Sequence, residues 1–240
     1  MQPKTLNHIA FAIILSLGIG SCGYFISQTL FNAKVAINVA EVKGLAERQV
    51  QADTAIWTLT FGVANDISAP LASLYRHAET RQQTIFDFLR RAGFDTEELE
   101  IGVIDYSKRE YRDSNQKLIE QRHSLRGSIT ITTSKVELVA NARASINNLI
   151  AEGIAIDNHN PRYLFTQLNQ IKPAMLREAT ENARIAANEF AQIAQVEVGA
   201  IKHARQGSFV INDSGEQYSS DQKVTKDVRV VTTVSFYLEE

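Results

Sequence analysis

Chemistry needs particular residues at particular spacings, and this chain supplies few of them. Its five histidines are His8, His77, His123, His159 and His203. None falls in an H-x-x-H, H-E-x-x-H or H-x-H spacing, so no metal site is expected. Ser214 precedes Gly215 in a polar stretch, but no G-x-S-x-G elbow surrounds it. The glycines are scattered as stops and strand positions, with no phosphate-cradling loop among them. Cys22 is the single cysteine, so no disulfide forms within one chain and no thiol pair exists. We therefore expect no enzymatic activity and no cofactor.

The densest polar cluster is Asp105, Tyr106, Arg109, Glu110 and Tyr111. Aromatic rings beside charges can hold a small molecule, and a periplasmic binding or scavenging domain is the rival reading on that account. The plainer reading is a solvated strand edge or hairpin. Lys108-Arg109 and Arg112 are too few and too mixed with acids for a nucleic-acid surface, and the formal net charge of −2 points the same way. Asp53, at the start of a strand, either pairs with a cation or marks a turn.

These residues need elements to hold them. No charged residue occurs between Lys4 and Lys34, and residues 9–31 form a continuous apolar run. As a helix this run rises about 34 Å, enough for a bilayer core of about 30 Å. Residues 1–34 are read as an uncleaved signal anchor. The competing readings are a cleaved signal peptide and a lipoprotein acylated at Cys22.

Beyond it, residues 35–240 read as one α+β domain. Trp57, Leu59, Phe61 and Val63 alternate with threonines, as in a half-buried strand. Ser68 and Pro70 open a helix whose stripe is Leu71, Leu74, Ala78, Ile85, Leu89 and Ala92, stopped by Gly93. Leu99, Ile101 and Val103 begin a second strand. Asp113-Ser114-Asn115 turns a hairpin, and Leu125, Ile129 and Ile131 return it. Ser134 to Glu137 is a capping-box pattern that opens a helix ending at Gly153. Tyr163 to Leu168 reads as a further strand. The order β-α-β, hairpin, α-β is that of a split βαβ, ferredoxin-like unit. A long alanine-rich helix from Lys172 to Gln195 and a C-terminal β-hairpin extend it, with Asn212 to Lys223 expected as a mobile loop.

The long helix organises the chain. Its apolar arc spans roughly 160°, wider than the ~100° that covers one sheet. Met175, Phe190 and Ile193 are expected to enter the core. Ala187, Ala191 and Ala194 are expected to meet a second helix, from a neighbouring subunit or from the same chain.

Several of these stretches together resemble one family. Gly44-Leu-Ala-Glu-Arg-Gln-Val-Gln-Ala-Asp53 leads into a strand. Lys172-Pro-x-Met175, Ala179-x-x-x-Ala183-Arg184-x-Ala186-Ala187 and Phe190-Ala191 lie in the long helix. Gln206-Gly207-x-Phe209-x-Ile211 and Val228-Arg-Val-Val-x-Thr-Val234 close the domain. The combination is similar to the SIMPL-domain family. The resemblance implies an α+β domain exported to the periplasm or envelope, a tendency to self-assemble, and a link to envelope or oxidative stress. It supplies no catalytic residues. The chain differs from many members in its long N-terminal span, which implies a single-pass protein of the bacterial inner membrane with its domain in the periplasm and homo-oligomeric contacts there.

Overall fold

The computed structural model describes residues 3–65, 70–216, 218 and 220–239. Ser68, expected as a helix cap, lies outside them. Helix α1 spans Pro3–Ile37, and strand β1 follows at Val39–Gln51 with only Asn38 between them. Ile13–Leu30 is long and apolar enough to cross a membrane, and no residue of this window is buried. A signal sequence passes the same test.

From β1 onward the chain is a mixed α+β structure. Strand β2 is Thr54–Asn65, helix α2 Leu71–Arg91, strand β3 Leu99–Ile101, β4 Asp105–Arg112 and β5 Leu118–Thr133. Helices α3 (Val136–Ser145) and α4 (Asn147–Ala151) precede the short strands β6 (Ile156–Asn158) and β7 (Arg162–Leu164). Helix α5 is Leu168–Ala194, and β8 (Glu197–Gln206), β9 (Val210–Asp213) and β10 (Thr225–Glu239) complete the order. The stretch read above as one domain is distributed over two compact units. Unit 1 holds residues 1–47, 172–209 and 229–240; unit 2 holds 48–171 and 210–228.

Unit 2 is built on the antiparallel sheet β3-β5-β2-β6, with β4 also on β5 and β7 also on β2. The alternation read in β2 is what buries it: Trp57, Leu59, Phe61 and Val63 all enter the core. From β5 come Leu125, Ile129 and Ile131, and from α2 come Leu74, Ala78, Ile85 and Leu89. Helix α2 packs on β2 and β5, and α3 on β2. The indole N–H of Trp57 donates to the Asn158 side-chain oxygen and the His159 carbonyl, each at 3.1 Å, so a fully buried polar atom is satisfied.

Two helices of this unit stop in the same way. Gly93 and Gly153 adopt φ of 106° and 87°. Phe94 N–H then donates to the Leu89 carbonyl, and Ile154 N–H to the Leu149 carbonyl. Phe94 and Ile154 are both buried. Left-handed glycine followed by an apolar residue is a Schellman end, and it throws that residue into the core. The expected cap of α3 differs. Lys135 is the N-cap and no side chain caps the helix; the Thr133 hydroxyl accepts the Lys135 N–H at 2.9 Å just before it.

Unit 1 combines α5 with the strand order β1-β10-β8. Ala183 and Ala187 of α5 pack with Val234 and Phe236 of β10. The helix begins at Leu168, a turn earlier than the Lys172 start read from sequence, and Pro173 lies inside it.

Candidate functional site

The polar cluster read from sequence sits on a two-stranded ribbon. In register, Arg109 faces Arg122 and Tyr111 faces Glu120. Side chains alternate across a ribbon. Asp105, Arg109 and Tyr111 therefore share one face, and Tyr106 lies on the other. On the first face, the Arg122 guanidinium stands 5.5 Å from the Tyr111 ring centroid. On the second, the Tyr106 hydroxyl is 2.8 Å from His123 Nδ1, with the rings stacked. All eight residues of β4 are exposed. The four candidate residues are thus split between two open faces and do not converge on one point.

The ribbon outruns the sheet. Strand β2 ends opposite His123, while β4 continues pairing down to Leu118. Ile119 is the extra residue of a bulge, since Tyr111 pairs with Glu120 and Arg112 with Leu118. The turn is tied by Asp113, whose carboxylate accepts the N–H groups of Asn115 and Lys117. Tyr106, Tyr111, Leu118 and Ile119 remain exposed, Ile119 at 66%.

A second constellation was not read from sequence. Asp213 and Lys226 are both buried and paired with each other. The Asp213 carboxylate also accepts the Ser220 hydroxyl and the N–H groups of Gln222 (2.8 Å) and Lys223 (3.2 Å). Burial alone would push this carboxyl up. The Lys226 ammonium, the Ser220 hydroxyl and the two N–H groups outweigh it and hold the group at about 2. Asp221 lies 3.7 Å from Lys226 Nζ and pairs with Arg162 at 3.0 Å. Its carbonyl accepts the Tyr163 N–H at 2.7 Å. The segment expected as a mobile loop is therefore fastened at Asp213 and from Ser220 to Lys223. A signal for this was present in the chain: extending the inward phase Val234, Thr232, Val230, Val228 back by one step reaches Lys226.

Asp53 does related work. Its carboxylate accepts the N–H groups of Thr166 and Gln167 at 2.9 and 3.0 Å, and the Thr166 hydroxyl at 2.8 Å. Burial pushes its pKa up, but these donors and Thr54 keep it below the usual carboxylate range. Its partner is thus the backbone at the entry to α5 and not a cation. Among the described residues no group of three His, Cys, Asp or Glu is placed to hold a metal ion.

On α5 Met175 enters the core as expected, but Phe190 and Ile193 do not. Met175, Ala179, Ala183, Ala187 and Ala191 are the buried row, at strict four-residue spacing. Ala187 meets Val234 and Phe236 of the sheet rather than another helix, and Ala194 is exposed. Phe190 and Ile193, expected in the core, are 58% and 85% exposed. The reason lies in β1. A Cβ on Gly44 would stand 1.8 Å from the Ala179 carbonyl oxygen and 2.5 Å from the Ala183 nitrogen. Helix backbone rests on strand backbone there, and only small residues fit between.

The Gly44 contact, the alanine row and the Asp53 cap fall within a span matched by one family model. This is SIMPL, described as a protein of unknown function (DUF541), over residues 40–236. The chain belongs to the SIMPL family. Its SIMPL region covers both units, from Ala40 in β1 to Phe236 in β10. A search among curated proteins finds no match to this SIMPL chain.

Proposed function

We propose that this SIMPL protein is a membrane-anchored, non-enzymatic module that acts by self-association, with its domain on the periplasmic side of a bacterial inner membrane. The observation that carries the reading is the ribbon of β4 and β5. A two-stranded ribbon is marginally stable in water. This one carries Tyr111, Leu118 and Ile119 to its end, where they add nothing to the core of unit 2. Apolar residues on such an arm suit a second copy of the chain. The charged row Lys108, Arg109, Glu110 and Arg112 blunts the open edge of β4 and directs contact to the tip.

A non-catalytic role is supported by how the carboxylates of unit 2 are used. Asp53, Asp213 and Asp227 each accept several hydrogen bonds that fasten loops. Helix α1 supplies the anchor in this reading, and envelope or oxidative stress protection is its setting. The strand order β3-β5-β2-β6, with α2 and α3 on its strands, supports reading unit 2 as a split βαβ unit.

The test is the mass of the detergent-extracted full chain beside a Tyr111→Ser/Ile119→Ser variant. A multimer that loses subunits in the variant, with circular dichroism unchanged, is the expected result. A monomeric parent chain sinks the proposal.

A further inference from the structure

The last turn of α5 carries an apolar surface that its own unit leaves uncovered. Phe190 is 58% and Ile193 85% exposed. They lie three residues apart on a helix and so share a face. The buried alanine row shows that they are not waiting for the sheet, since the sheet already holds the other side.

What covers them follows from the path of the chain. Only Asn38 separates α1 from β1. The Asn38 carbonyl accepts the Leu238 N–H at 2.9 Å, Leu238 pairs with Val198, and the Val196 N–H donates to the Ala191 carbonyl at 3.0 Å. Four short links therefore connect the exit of α1 to the last turn of α5. The charges at this end are mixed: Glu197 faces Glu239 across the strands, Glu189 is on the helix, and Lys34 lies in the last turn of α1. This balance gives an anionic surface no hold, so the attraction comes from apolar burial.

We propose that the C-terminal turn of α5 docks on the bilayer that holds α1, with Phe190 and Ile193 inserted at the boundary between headgroups and acyl chains. This rests on reading α1 as a retained anchor. Amphipathic helices bury their apolar face about 5–10 Å into that boundary. Tethering by α1 keeps the helix end at the surface, so two large side chains suffice where a free helix would need more.

The experiment uses the full chain in phosphatidylcholine vesicles, with single cysteines in a Cys22→Ser background carrying a polarity-sensitive fluorophore. Tyr24→Cys reports on the span, Ile193→Cys on the docking turn, and Arg205→Cys on β8 about 23 Å further along the strand at ~3.3 Å per residue. Brominated lipid should quench most of the emission at 24 and 193 and leave 205 unchanged, with no release in high salt. Quenching at 24 alone overturns the docking and leaves the anchor standing. No quenching at 24 removes the anchor reading and the docking with it. A label at 193 that is shielded but unquenched, and stays shielded in detergent, shows a second copy on this face and overturns the lipid assignment. Equal quenching at 193 and 205 shows general adsorption and does the same.

Discussion

Lys226 donates to the Asp213 carboxylate with neither side chain in contact with water. Breaking a buried pair from one side leaves an uncompensated charge and costs about 3–5 kcal/mol. Lys226→Met is therefore expected to lower the melting temperature strongly. Asp213→Leu/Lys226→Met should recover only part of it, because the Gln222 and Lys223 N–H groups lose their acceptor. Limited proteolysis should then cut between residues 214 and 224, where the parent chain resists.

The same carboxylate sets a response to acid. Asp213 titrates at about 2 when folded, against an ordinary 3.8. The unfolded chain takes up its proton first as pH falls. The stabilisation is complete above 3.8 and is lost between there and about 2. Asp53, Glu98 and Asp227 are shifted in the same direction. Urea midpoints should fall steeply below pH 4, and Asp213→Asn should flatten that fall. An unchanged slope would remove the pair from the account.

Gly44 is the point where α5 touches β1. Gly44→Ala forces the helix off the strand and should cost about 1–3 kcal/mol or more, as other overpacked sites do. Gly62→Ala is the control, since nothing lies within 4 Å of a Cβ there. It should be neutral or stabilise by up to about 1 kcal/mol. Similar melting temperatures for the two would mean that the close approach carries no energy.

Thr232 faces inward on β10 with 5% exposure, and among the described residues its hydroxyl has no hydrogen-bond partner. A buried hydroxyl without a partner costs about 1–3 kcal/mol on mutational scales. Thr232→Val keeps the shape and removes the oxygen. Its melting temperature should rise, and a fall would show that the hydroxyl is satisfied after all.

Asp53 closes the entry to α5 through Thr166 and Gln167. Asp53→Ala should cost about 0.5–2 kcal/mol, the range for losing a helix cap. Asp53→Asn, which keeps one acceptor, should lie between that variant and the parent chain in thermal denaturation.

How far the chain could be read depended on how each element marks its burial. Strand β2 alternates bulky and polar residues, so Trp57 to Val63 announced their inward face. Gly93-Phe94 and Gly153-Ile154 were legible because a left-handed helix end needs glycine. Strand β1 carries no such signal, since its inward residues include Ala40, Gly44 and Ala46, too small to register as a stripe. The outward placement of Phe190 and Ile193 has the same cause. Size was taken as the mark of the core, whereas the close strand at Gly44 admits only alanine. Asp213 and Lys226 escaped because opposite charges thirteen residues apart in a polar segment look like any solvated loop.

The pairing of Asn38 with Leu238 has a consequence for synthesis. The first strand after α1 finds its neighbour about 200 residues later, a large loop to close before any contact rewards it. During translation β1 stands with its hydrogen-bonding edge bare while everything between is made. Unit 2 has its sheet strands from Thr54 to Leu164 in hand well before β10 is synthesised. A chain interrupted before Thr225 would keep α1 and that sheet, yet present β1 as an unpaired strand. Such a fragment carries a bare strand edge, the feature most ready to pair with another chain.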